Sequence, residues 1–148
     1  MAEARYAHNW RARAPYKSQG EEQIARLLER NGIAFQYEYP LAVQDHGKTR
    51  LYYPDFRLPE YGLIIEYFGM NGDPGYDART RHKIGVYKQA GIEGLFLTEE
   101  SLKGDWPGRV MGRIEDTLKR RLDRFYNRSY SGQQSYGLGV CGVANVNR

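Results

Sequence analysis

The sequence predicts an α/β fold: a mixed β-sheet flanked by helices. Three observations carry that expectation. Segments with the 3.6-residue period of helices stand at both ends and in the middle of the chain. Short runs rich in Tyr, Phe, Ile and Leu, bounded by Gly and Pro, lie between them. Of 148 residues, 41% are hydrophobic and 27% charged, enough for one domain with a real core but not for two.

The elements follow in order. Ser18 begins a helix, because Ser18 and Glu21 fit a capping box and Ile24, Leu27 and Leu28 supply an apolar face. Asn31-Gly32 ends it. Phe35, Tyr37 and Tyr39 alternate with polar residues as a strand does, and Pro40 closes that strand. Asp45-His46-Gly47-Lys48 reads as a turn. Arg50–Leu58 reads as a second strand. Pro54 lacks a ladder donor, so it belongs at an edge or a bulge. Gly62–Phe68 is a third strand and Met70–Gly75 a loop. Asp77–Ala90 is a helix stopped by Gly91, and Gly94–Thr98 is a short fourth strand. Asp105 then caps a long helix with Pro107 in its first turn. Its apolar stripe is Val110, Met111, Ile114, Leu118, Leu122, Phe125 and Tyr126. The order is α-β-β-β-α-β-α.

Several classes are excluded. The one cysteine, Cys141, cannot form a disulfide framework or a Cys-rich zinc site. The longest purely aliphatic run is Leu63-Ile64-Ile65, so no bilayer-spanning segment is expected. Met1–Pro15 has no apolar stretch of the secretory kind. The expectation is a cytoplasmic or nucleoid-associated protein that is not secreted. No P-loop occurs, so ATP is not expected. His8, His46 and His82 have no metal spacing and are assigned no site.

Charge is unevenly spread over a formal net +4. Met1–Lys17 carries Arg5, Arg11, Arg13 and Lys17 against Glu3, interleaved with Tyr6, His8, Trp10 and Tyr16. Such an arm suits phosphate contact with stacking or groove insertion. Arg109–Arg128 is also basic. Basic flanks around a near-neutral or acidic middle suit a nucleic acid held across a central acidic site. Residues 127–148 are mostly Ser, Gly, Gln and Asn. They are read as a flexible tail, which divides the chain into an arm at 1–17, a domain at 18–126 and the tail.

The acidic site starts with Glu66, in the middle of an apolar strand. A carboxylate there is costly unless paired, protonated or metal-bound. Asp55 follows Pro54 one hairpin away, and two carboxylates on adjacent strands can converge on one point. Hard oxygens suit Mg²⁺ or Mn²⁺ rather than zinc. Glu21 lies about 60° from the buried face of the first helix, taking 100° per residue, so it borders the core. It can serve as cap, as site residue or as both. Tyr76, Thr80, Lys83, Tyr87 and Ala90 form one stripe of the next helix, with Lys88 at its margin. A lysine in such a stripe calls for an anionic partner or snorkels to solvent.

Ser18 with Glu21, Tyr53-Pro54-Asp55-Phe56 and Ile64-Ile65-Glu66-Tyr67-Phe68-Gly69, taken together, resemble the PD-(D/E)xK nuclease superfamily over about residues 17–102. The resemblance implies a three-layer restriction-endonuclease-like core and a Mg²⁺-dependent DNA endonuclease, Mn²⁺ being a substitute. It implies metal binding by Asp55, Glu66 and the Tyr67 carbonyl, with Glu21 holding a second metal or a metal-bound water. All three side chains would meet at one divalent ion. The family's usual lysine, two residues after the second acid, is here Phe68. Variant branches supply it from the following helix, which implies Lys83. DNA contacts would come from Arg5, Arg11, Arg13, Lys17, Arg79 and Lys88, and the long C-terminal helix offers a homodimer face. A catalytically inactive DNA-binding module or partner subunit is the alternative that Phe68 raises.

Overall fold

The structure is a computed structural model that describes residues 16–69 and 72–133. It is an α/β arrangement of three helices, a mixed four-stranded sheet and a separate hairpin. Helix α1 spans Gln19–Arg30. Ser18 caps it, its hydroxyl accepting the Glu21 N–H at 3.2 Å. Strands β1 (Gln36–Tyr37), β4 (Phe56–Leu58), β5 (Leu63–Phe68) and β6 (Glu93–Thr98) form the sheet in the order β1-β4-β5-β6. The first two junctions are antiparallel and β5–β6 is parallel. Between β5 and β6 the chain crosses over through helix α2 (Pro74–Gln89). Strands β2 (Leu41–Asp45) and β3 (Lys48–Tyr52) form the hairpin, and helix α3 (Trp106–Gln133) closes the described chain.

Side-chain alternation along β5 divides the core. Leu63 and Ile65 face a cluster with Ile24, Leu28, Val110 and Ile114, so α1 and α3 cover that side of the sheet. Ile64 faces a second cluster with Val43, Val86 and Tyr87, so α2 and the hairpin cover the other. Position 66 shares the parity of Ile64, which turns Glu66 toward α2 and the hairpin.

Four expectations change. The strand read at 50–58 is two strands in two sheets. The break falls at Tyr53-Pro54-Asp55, where proline cannot continue a ladder, so Pro54 separates strands instead of bulging one. Leu41–Asp45 pairs as a strand with Lys48–Tyr52. Helix α2 begins at Pro74, not Asp77: Asp73 is its cap, accepting the Tyr76 N–H at 2.8 Å, and Pro74 sits where a missing N–H costs nothing. Helix α3 runs through Asn127 to Gln133, so the tail does not begin at 127. The rest of the tail, residues 134–148 with Cys141, lies outside the described residues, as does the arm up to Pro15. No helix among the described residues is long and apolar enough to cross a membrane.

One close approach ties the first helix to the sheet. A Cβ placed on Gly20 would stand 2.2 Å from the Tyr67 ring, so only glycine lets the first turn of α1 lie against the end of β5. Gly20→Ala must displace that ring. It is expected to destabilise the fold by about 1–3 kcal/mol, read by chemical denaturation.

Candidate active site

The candidate site lies at the C-terminal end of β5, where the strand break, α1 and α2 converge. Asp55 is the residue just before β4. Its Oδ2 accepts the Tyr67 N–H at 2.7 Å, which fixes the carboxylate against the C-terminal end of β5. Burial pushes the Asp55 carboxyl up to about 7, and the charge of Glu66 adds to the rise.

Glu66 is 2% exposed. Lys83 Nζ lies 2.7 Å from its Oε1 and 2.8 Å from its Oε2. The Tyr87 hydroxyl, fully buried, donates to Oε1 at 2.7 Å. Burial drives the Glu66 carboxyl above the usual carboxylate range, while Lys83 and Tyr87 oppose the shift. Burial first, and then the Glu66 charge, raise the Tyr87 phenol. Lys83 therefore has an anionic partner, and α2 delivers it to the carboxylate on the face of the sheet that the helix covers. Phe68 has the same strand parity as Glu66 but is filled in by aromatic packing. Its ring lies 6.5 Å from that of Tyr76 and 6.4 Å from that of Phe96. A lysine at 68 would have to enter that apolar space, whereas position 83 reaches Glu66 from the helix.

Glu21 is buried close by, and its charge contributes to the upward shifts of both Asp55 and Glu66. Its carboxylate, however, serves the start of α1. It accepts the Lys17 N–H at 3.2 Å, the Ser18 hydroxyl at 3.0 Å and the Tyr37 hydroxyl. Glu21, Asp55 and Glu66 are not a trio whose ligand atoms all lie within 4.8 Å. The expectation that all three meet at one ion is thus corrected. Capping and Tyr37 hold Glu21 back, leaving Asp55 and Glu66 as the carboxylates on adjacent strands.

The remaining expected residues are dispersed. Lys17 pairs with Glu38. Arg79 is exposed and lines a groove of about 620 Å³ between the hairpin and α2, together with Leu51, Tyr52, Tyr53, His82 and Lys83. Lys88 is exposed at the far end of α2. Arg5, Arg11 and Arg13 lie outside the described residues. Tyr87 was visible only as a member of the α2 stripe. Its hydrogen bond could have been anticipated from the pairing of a buried tyrosine with a buried carboxylate one layer away. A scan against protein-family models and a search of curated proteins found no match to the chain.

The raised carboxyl has a consequence for stability. Asp55 titrates at about 7 in the folded protein against an ordinary 3.8, so folding favours its protonated form. That contribution is complete below about pH 4 and is lost as pH rises through about 7. Chelator-treated protein is expected to melt at a lower temperature at about pH 8 than at about pH 5, and Asp55→Asn to flatten the difference. Calorimetry at both pH values checks this.

Proposed function

We propose that this chain is a metal-dependent DNA endonuclease that hydrolyses phosphodiester bonds, built on a restriction-endonuclease-like core with its lysine on the helix after the second acidic strand. The observation that carries the reading is the double engagement of Glu66 by Lys83, beside an Asp55 carboxyl raised by burial and by Glu66 itself. Two carboxylates sharing a buried space with one ammonium group leave negative charge to be balanced, and hard oxygens suit Mg²⁺ or Mn²⁺. Asp55 and Glu66 would hold the ion, with the Tyr67 carbonyl as the expected third ligand. When bound there, it would polarise a phosphate oxygen and lower the pKa of an attacking water.

The protein's own groups have separate tasks in this reading. Asp55 must be ionised to ligate, so its raised pKa makes metal loading easier as pH rises. Tyr87 fixes one oxygen of Glu66 from inside the core and leaves the carboxylate few orientations. Lys83 is less deeply buried than Glu66. It can turn its ammonium toward the charge that builds on the phosphate. Glu21 tunes the local field and holds the first turn of α1, and a metal-bound water is the nearest role to the metal left to it. Arg79, with Tyr52 and Tyr53, lines the groove that reaches Lys83, a cationic and aromatic path suited to a nucleic-acid strand.

Pairing of two copies is part of the same proposal, since two sites let both strands of a duplex be cut in one encounter. The inner half of the α3 stripe, Val110 and Ile114, is core, but Leu118, Leu122, Phe125 and Tyr126 are 37–67% exposed. An apolar face of this kind fits an isologous interface. At micromolar concentration with DNA present, the protein is expected to sediment as a dimer and Leu122→Glu as a monomer. A wild-type monomer under those conditions contradicts the pairing.

The activity is tested with plasmid and branched DNA. Mg²⁺-dependent cleavage is expected, abolished in Asp55→Asn and Glu66→Gln and reduced by about 10²–10³-fold in Lys83→Met. Salt-sensitive binding without cleavage would instead identify an inactive DNA-binding module. Neither binding nor any effect of divalent ions on melting would identify a structural partner whose acids form ordinary ion pairs.

A further inference from the structure

The turn of the β2–β3 hairpin meets α2 at a cluster that the nuclease reading does not use. Asp45 ends β2, His46 and Gly47 form the two-residue turn, and His82 comes from α2 immediately before Lys83. His82 Nε2 lies 3.1 Å from Asp45 Oδ1 and 3.2 Å from Oδ2. His46 Nδ1 lies 3.9 Å from Oδ1. One ligand atom from each residue falls within 4.8 Å of the others, and these three form the one such group among the described residues. The two rings stand 5.1 Å apart, centroid to centroid.

Three features separate this cluster from a chance surface ion pair. The first is spacing. Ligands about 2.0–2.1 Å from a tetrahedral zinc ion stand about 3.3 Å from one another. The distances of 3.1 and 3.9 Å around Oδ1 bracket that value, so small rotations of two half-exposed or exposed rings bring three donors onto one point. The second is the division of labour on Asp45, which is itself buried. Tyr52 donates to Oδ2 at 2.9 Å, and Arg50 Nε lies 3.5 Å from the same oxygen. These two partners fix the carboxylate through Oδ2, which His82 also approaches, while Oδ1 faces both imidazoles; outer-sphere partners hold a ligating carboxylate in the same way. The third is the backbone. His46 has φ 50° and Gly47 φ 73°, both in the left-handed region that a two-residue hairpin turn requires. Asn or Gly meets that requirement with less strain, and a strained non-glycine residue at a turn is where function is sought. The turn aims an imidazole at Asp45 and His82 instead.

We propose that Asp45, His46 and His82 form a site for a zinc-class divalent cation that pins the β2–β3 hairpin to α2. Two imidazoles and one carboxylate suit Zn²⁺, Co²⁺ or Ni²⁺ and not Mg²⁺, which takes oxygen ligands. Water completes the coordination. The ion would tie the turn to the helix that carries Lys83 and would set the width of the groove beside it. The inference stands whether or not the chain is a nuclease.

The test is calorimetric titration of the full chain with ZnCl₂ alone, comparing wild type, His46→Ala, His82→Gln and Asp55→Asn. One zinc ion per chain is expected for wild type and Asp55→Asn, with at least about tenfold weaker binding in each histidine variant. Zn²⁺ is expected to raise the melting temperature of wild type and to leave that of His46→Ala unchanged. His46 is on an exposed turn, so that variant decides the matter if His82→Gln proves unstable. Equal zinc affinity in wild type and His46→Ala, or no saturable zinc binding at all, would overturn the proposal.

Discussion

The site depends on a single buried carboxylate being held from outside its own strand. Glu66 sits in a sheet whose other inward-facing residues are apolar, and nothing in β5 can satisfy it. Helix α2 solves the problem twice: Tyr87 donates to one oxygen from the fully buried layer, and Lys83 bridges both. Removing Lys83 would leave a desolvated negative charge, and removing Tyr87 would strip one buried oxygen of a donor, each a cost that matters in a fold of marginal stability. The placement of α2 between the parallel strands β5 and β6, packed on the face that holds Glu66, lets one helix cover that face and satisfy that group together.

Asp55 shows the complementary arrangement. Its backbone lies where Pro54 ends one ladder and before β4 begins the next, so its carboxylate is free to turn to the Tyr67 N–H. It is buried next to Glu66, and among the described residues no ion pair engages it, Lys83 being engaged by its neighbour. The outcome is one carboxylate compensated by protein and one whose ionisation is resisted. Such asymmetry in a pair of acids is a common physical basis for functional sites, and here it is consistent with a divalent ion supplying the missing positive charge.

Much of this was legible in the residues. Ser18 and the Ile24, Leu27 and Leu28 face gave α1, the Leu63–Phe68 run gave β5, and the burial of Glu66 marked it as needing a partner. The stripe through Lys83 and Tyr87 placed both on the face that reaches it. What could not be read was set by tertiary geometry or by ambiguous punctuation. Pro54 is compatible with an edge, a bulge or a break, and only the pairing of Lys48–Tyr52 with Leu41–Asp45 selects the break. Glu21 lies at the margin of a helix face, and angle alone does not reveal that Tyr37 and the Lys17 N–H claim its oxygens. His82 is 37 residues from Asp45, so no local spacing announces that cluster. Leu118, Leu122 and Phe125 continue the period of Val110 and Ile114, yet α3 outruns the sheet it covers and leaves them exposed.

The central claim is that Asp55 and Glu66 form an electrostatically frustrated pair that a hard divalent ion relieves. Its most direct measurement is the titration of the Asp55 carboxyl carbon by ¹³C NMR with and without Mg²⁺. The account predicts a metal-free pKa displaced upward to about 7 and a fall toward or below the ordinary range when Mg²⁺ is added. An Asp55 that titrates at its ordinary value, or one whose titration Mg²⁺ leaves unmoved, would contradict it.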